Sequence, residues 1–303
     1  MTPPRLAVVG STASGKSAVA LAFAVERGDT DIVSVDSMQV YRGMDIGTAT
    51  PSADEQACVP HHLINLVDVD VEFTVALFQD ALVTALDGIE VAGRRALLVG
   101  GTGLYHRAAV DGLELAGVWP DIRARLVDEL AAEGSEVLYE RLARIDPEAA
   151  ARIDASNGRR LVRALEVWEG SGRLFSSFGP GLDRYPATDV VQVGLRWDRA
   201  VLAKRIERRV HAMVASGLVA EAERVLAMSP SRTARAALGY AEMFAHLEGE
   251  YSLDETVAAI VANTRRFAVR QDRWFRRDPR IRWVDVHDDP VAEVLPVLRG
   301  VWG

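Results

Sequence analysis

The chain has 303 residues, 49% apolar and 26% charged, enough for a large core or about two domains and ordinary for a soluble globular protein. Its longest stretches free of Asp, Glu, Lys and Arg, Gln56 to Val67 and Ala96 to His106, fall well short of the ~20 residues that a membrane-spanning helix needs. The net charge of −8 argues at first against a nucleic-acid partner, but its distribution does not: residues 1–120 carry −8, whereas residues 196–282 carry +6. Cys58 is the single cysteine, so no internal disulfide can form, and Leu6 to Val9 is too short for a secretory leader; a cytoplasmic protein is expected. All the basic residues except Lys16 and Lys204 are arginines.

In chain order, Leu6-Ala-Val-Val-Gly10 reads as a buried parallel strand, Ser11 to Ser17 as a glycine turn and the apolar-rich stretch beyond it as a helix. Strand-like runs recur at Asp31–Asp36 and Arg95–Gly101, the second after a helical pattern over Thr74–Val91. Pro51 to Asp70 lacks periodicity and reads as a long loop carrying His61 and His62. Short helical patterns follow at Asp121–Glu133, Glu136–Ile145, Pro147–Ile153 and Gly158–Glu169, then a Gly, Ser and Pro-rich stretch over Gly170–Pro186. Strand character resumes at Val190–Trp197, and helices are predicted at Arg199–Ser216, Val219–Met228 and Leu253–Arg277, with loops between them. The expected fold is α/β: a P-loop-type, mostly parallel sheet flanked by helices, its core formed by 1–114 and 189–303 and interrupted by a helical insertion at 115–188.

Gly10-Ser11-Thr12-Ala13-Ser14-Gly15-Lys16-Ser17 satisfies the P-loop pattern in its required strand, turn and helix context. Backbone N–H groups of such a loop converge on phosphate oxygens, the helix N-terminus adds positive potential, Lys16 supplies a point charge, and Ser17 can hold Mg²⁺. The loop alone does not distinguish a nucleoside triphosphate from another diphosphate. Asp36, at the carboxyl end of the second strand, sits where open α/β sheets place chemistry; it can orient metal-bound water or take a proton from a nucleophile. Gly100-Gly101-Thr102-Gly103 follows the third strand, allowing close backbone approach and offering the Thr102 hydroxyl.

These segments, together with Asp36-Ser37-Met38-Gln39 and its continuation to Ala49, Pro60 to Ile64, Arg160 to Val167 and Thr264 to Arg277, closely resemble the tRNA dimethylallyltransferase (isopentenyltransferase) family, in order, over residues 6–277. The resemblance implies transfer of a dimethylallyl group from dimethylallyl diphosphate to the exocyclic amine of adenosine 37 of tRNA. It assigns the P-loop and Arg209 to the diphosphate, Asp36 to the general base, and Thr102 to the reactive centre and to contact with the tRNA. Ser37, Met38 and Gln39 fall in the segment that embraces the extruded base. Arg123 and the run Arg159, Arg160, Leu161, Val162 and Arg163 match positions that grip the anticodon stem-loop. The arginines at 266, 270, 273 and 277 form one helical stripe, with Arg270 expected on phosphate, and Phe267 and Trp274 are expected in the core.

The chain departs from the family at Ser11, where Pro is common, and at Ala241 and Val269, where Lys is usual. Arg208 competes with the adjacent Arg209 for the pyrophosphate contact, and the two histidines are expected to be structural. A monomer with Mg²⁺ is expected. The competing readings are a P-loop kinase or NTPase acting on a small molecule, which accounts for the first 110 residues but not for the arginine-rich remainder, and prenylation of free adenine nucleotides.

Overall fold

The computed structural model describes residues 6–178, 182 and 184–302. Its first half alternates strand and helix: β1 (Leu6–Gly10), α1 (Lys16–Arg27), β2 (Thr30–Val35), α2 (Ala53–Cys58), β3 (His61–His62), α3 (Val75–Val91), β4 (Arg95–Gly100) and α4 (Gly103–Asp111). Every residue of β1 and β2 is buried, as expected for parallel strands covered on both faces. The Thr74 hydroxyl caps α3 by accepting the Leu77 N–H, and a Ser52–Glu55 capping box starts α2. The stretch from Pro51 to Asp70, predicted as loop, therefore contains a short helix and a two-residue strand. Both are too short to show periodicity.

Four helices follow: α5 (Pro120–Glu133), α6 (Ser135–Ile145), α7 (Pro147–Ala150) and α8 (Gly158–Ser171). Residues Gly112–Arg184 form a compact unit of their own, packed around Leu126, Leu138, Leu142, Leu161 and Leu165. Its buried Glu166 accepts the Trp119 N–H at 2.9 Å and pairs with Arg123 at 2.9 Å and Arg163 at 3.1 Å.

The chain then returns to the first unit with β5 (Val191–Trp197), α9 (Arg199–Ala215), α10 (Leu218–Ala227), α11 (Arg232–Arg235), α12 (Tyr240–Leu247), α13 (Leu253–Phe275), β6 (Ile281–Val286) and α14 (Pro290–Val301). The six strands form one parallel sheet in the order β3-β2-β4-β1-β5-β6. Strand β6 and helices α4, α11, α12 and α14 were not among the predicted elements. β6 lies at the sheet edge, where its inner residues are only partly covered and its pattern does not alternate cleanly. Arg196 and Asp285, partners in the β5–β6 register, pair at 2.5 and 2.6 Å.

Arg280 bonds Asp111 and the Pro186 carbonyl, both at 2.6 Å, and so ties together the two points at which the first unit is interrupted. Among the described residues no helix is long and apolar enough to cross a membrane.

Candidate active site

β1, β2 and β4 are adjacent and parallel, so the phosphate loop, the Asp36 segment and the Gly100–Gly103 turn all emerge at the carboxyl end of the sheet. They wall a cavity of about 350 Å³, within the range of small-ligand sites. Thr12, Lys16, Ser17, Asp36, Thr102 and Arg209 line it on the polar side; Ala20, Ile32, Val99, Leu238 and Phe267 supply apolar wall.

The phosphate loop is held from behind. Ala13 takes a left-handed conformation (φ 63°) that a residue with a side chain adopts at some cost, and Arg205 secures it by donating Nε–H to the Ala13 carbonyl at 3.0 Å. The Arg205 guanidinium lies 4.2 Å from the Trp197 ring centroid, and Trp197 donates Nε1–H to the Ser14 carbonyl at 2.8 Å. With these carbonyls fixed away from the cavity, the first-turn amides of Lys16 and Ser17 have no acceptor among the described residues and are available to an anion. The side chains of Ser11 and Ser14 are buried, so the loop offers backbone rather than hydroxyl groups at these positions. Lys16 donates to the Ser11 carbonyl at 3.4 Å. Burial pulls its ammonium down to about 8; Asp36 opposes that shift and Arg209 adds to it.

Asp36 follows β2 directly. Its Oδ1 accepts the Met38 N–H at 2.9 Å in a local turn, and Oδ2 has no hydrogen-bond partner among the described residues. Thr102 binds the same segment: its Oγ1 accepts the Ser37 N–H at 3.1 Å and donates to Ser37 Oγ at 3.3 Å. Gln39 accepts from Ser34 Oγ at 2.7 Å and donates to the Ala49 carbonyl at 3.1 Å, bracing the loop that follows.

Buried Glu221 holds that loop from below. Its carboxylate accepts the N–H groups of Asp45, Ile46 and Gly47 at 2.9–3.1 Å and the Tyr240 hydroxyl at 2.5 Å. Burial and the adjacent carboxylate push the Tyr240 hydroxyl pKa well up, so it remains a donor. A Cβ at Gly47 would stand 2.4 Å from the Tyr240 ring, which explains the glycine.

A family model described as IPP transferase matches residues 39–278. Curated relatives named tRNA dimethylallyltransferase include one from Streptomyces avermitilis, 49% identical over 306 residues that span 99% of this chain and 97% of the relative. Another, from Pseudarthrobacter chlorophenolicus, is 48% identical over 289 residues, 95% of each chain. This chain belongs to the IPP transferase family. Among solved structures, the tRNA isopentenylpyrophosphate transferase of Bacillus halodurans matches with a TM-score of 0.71 at 37% identity, covering 99% of this chain and 97% of that one. A eukaryotic dimethylallyltransferase acting on tRNA, at 21% identity and a TM-score of 0.79, shares the fold and covers 99% of this chain and 78% of its own.

Several expectations drawn from IPP transferase motifs need correction against the structure. Leu161 and Val162, expected among the tRNA contacts, turn into the core of the Gly112–Arg184 unit with 0% and 4% exposure, so their side chains cannot meet RNA. Arg123 and Arg163 keep their place among the expected tRNA contacts, since both are partly exposed, but each also pairs with Glu166, and Arg163 donates to the carbonyls of Ala116 and Gly117 at 2.7 and 2.9 Å. Arg159 and Arg160, by contrast, are exposed and have no ion pair among the described residues. Phe267 lines the cavity rather than the core, with Arg270 5.5 Å from its ring centroid; Trp274 is partly buried beside Val9, Phe275 and Ile281.

Of the adjacent arginines, Arg209 lines the cavity and Arg208 is exposed outside it. Burial lowers the Arg209 guanidinium pKa, with Asp36 raising it in turn. His62 bonds buried Asp31 at 2.8 Å and braces the sheet edge. His61 lines the cavity and donates Nδ1–H to the Val59 carbonyl at 2.8 Å. Ala241 lies in the cavity wall, where its short side chain leaves space.

The supporting residues Gln271, Arg205, Trp197, Glu221 and Tyr240 were not singled out from the sequence. Their partners lie far away in the chain, so no local pattern marks them. The motif around Gln271 was visible, but only as an arginine stripe.

Proposed function

We propose that this enzyme transfers a dimethylallyl group from dimethylallyl diphosphate to the exocyclic amine of adenosine 37 in the anticodon stem-loop of tRNA, releasing pyrophosphate, and that it acts as a cytoplasmic monomer. The observation that carries the chemistry is Asp36: one carboxylate oxygen is anchored on the Met38 amide and the other has no hydrogen-bond partner among the described residues, in the cavity that Lys16 and Arg209 also line. The C–O bond to the diphosphate breaks and its electron pair leaves with pyrophosphate; the amine nitrogen bonds the allylic carbon and loses its proton to Asp36. An adenine amine is a weak nucleophile, so it must lose that proton as the C–N bond forms.

The amides of Lys16 and Ser17, the Lys16 ammonium and the Arg209 guanidinium face the departing charge. The Ser17 hydroxyl lines the cavity and has no hydrogen-bond partner among the described residues. Mg²⁺ ordinarily takes only one or two protein ligands, the rest being phosphate oxygens and water, so this donor set fits it. When bound there, the ion would add positive charge at the leaving oxygens. Thr102 holds Ser37, and through it the turn that carries Asp36. An adenine must leave the anticodon stack to enter the cavity.

Radiolabelled dimethylallyl diphosphate, Mg²⁺ and unmodified tRNA should yield RNA labelled at one adenosine after nuclease digestion. Phosphate transfer from ATP to a small acceptor without RNA labelling would refute the assignment.

The same reading assigns different roles to the insertion arginines. Arg159→Ala with Arg160→Ala should weaken tRNA binding and reduce the slope of log K against log salt by about one to two units. Arg123→Ala should instead destabilise the insertion by about 1–3 kcal/mol, because it removes a charged partner from buried Glu166. Thermal melts and salt titrations separate the two; equal slopes for all variants would remove Arg159 and Arg160 from the RNA interface.

A further inference from the structure

Gln271 lies on α13, one residue beyond Arg270, and is only 7% exposed. Its side-chain Oε1 accepts the Thr12 N–H at 2.8 Å, and its Nε2 donates to the Gly101 carbonyl at 2.8 Å. β1 and β4 are in register up to Val9 and Gly100, after which one chain enters the phosphate loop and the other the Thr102 turn. The Gln271 amide spans the gap between these diverging segments much as another rung of the ladder would. An amide is suited to this because one end accepts and the other donates; Asn, one methylene shorter, has less reach.

The two segments carry opposite halves of the chemistry. Thr12 belongs to the loop that faces the diphosphate. Gly101 precedes Thr102, whose hydroxyl holds Ser37, which in turn follows Asp36. Thr12 spends its amide on Gln271, so this bond costs the cradle one donor and returns a fixed position.

We infer that Gln271 is a positioning residue that sets the distance between the leaving diphosphate and the base that takes the amine proton. The inference rests on the reaction proposed above. Its expected signature is a loss of rate without a matching loss of binding, because each half-site keeps its own contacts while their separation becomes variable. A misplacement of 1 Å can cost about 10²-fold in rate.

Gln271→Met keeps the approximate volume and removes both hydrogen bonds. Its single-turnover rate of prenyl transfer to tRNA should fall about 10- to 100-fold, while dissociation constants for inorganic pyrophosphate and for unmodified tRNA stay within about threefold, a change worth under 1 kcal/mol. Gly101→Ala perturbs the same bridge from the other side, because a Cβ there would stand 2.5 Å from Gln271 Nε2, against 3.2 Å from the Gly10 carbonyl, its next neighbour, while the backbone at Gly101 does not require a positive φ. It should reproduce the rate loss, and the double variant should be little worse than either single one.

If Gln271→Met does not fold, Gly101→Ala carries the test alone. A Gln271→Met rate within about twofold of the parent, a loss confined to pyrophosphate or tRNA binding, or multiplicative losses in the double variant would each overturn the inference. Failure of the parent enzyme to prenylate tRNA would instead overturn the proposed reaction, so the two failures are distinguishable.

Discussion

Asp36→Asn should bind both substrates and transfer the prenyl group about 10²- to 10⁴-fold more slowly, the usual contribution of a general base. The substitution is informative because Asn retains a side-chain oxygen that can accept the Met38 N–H, so the turn after β2 and the Ser37–Thr102 contacts should persist. What is lost is the oxygen with no hydrogen-bond partner among the described residues, replaced by an amide that cannot take the amine proton. The variant also removes the negative charge that acts on Lys16 and Arg209. With that charge gone, both cations act on the diphosphate without opposition, so pyrophosphate should bind as tightly as to the parent or more tightly. A single-turnover assay with labelled donor reads the first effect and a pyrophosphate titration the second. Transfer within about tenfold of the parent rate would remove Asp36 as the base. A large loss of pyrophosphate affinity would show instead that Asp36 acts chiefly through the metal.

The phosphate loop, the Asp36 turn and the Thr102 turn were legible in the chain because each is a continuous segment whose function depends on backbone conformation and immediate neighbours. The supports were not. Glu221 secures Gly47 from 174 positions away and Gln271 reaches Thr12 across 259, so their roles exist only once the parallel sheet has brought β1, β2 and β4 together. The run from Arg159 to Arg163 shows a different limit. Quoted as a block it suggests one RNA-facing strip, but helical geometry turns Leu161 and Val162 inward while Arg159 and Arg160 stay exposed. Phe267 was expected in the core because the wall of an apolar cavity draws on the same residue types as a core does. The edge strand β6 escaped notice because sheet edges demand less of a sequence than buried strands such as β1.

The acidic first 120 residues hold Lys16, which lines the cavity, and its titration should make anion binding depend on pH. Lys16 in the ligand-free enzyme titrates at about 8 because burial disfavours its charge and Arg209 adds repulsion. An anion needs the charged form, so affinity for a non-reactive alkyl diphosphate should fall as pH rises through 8 and beyond. His61, the cavity's histidine, has its pKa lowered chiefly by burial and is already neutral in that range, so it does not mask the transition. Stability should move in the opposite direction. Because the folded pKa lies below the ordinary lysine value of 10.5, the unfolded chain binds more protons between pH 8 and 10.5, and the ligand-free fold should gain stability across that interval. Lys16→Met should abolish both trends and slow transfer by about 10²- to 10³-fold, the usual cost of removing a group that stabilises developing negative charge. If affinity were flat to pH 9.5 in the parent, Lys16 would hold its proton throughout and the amides of α1 would carry the diphosphate largely without help from its titration. If instead affinity fell equally in the parent and in Lys16→Met, the titrating group would lie elsewhere in the cavity.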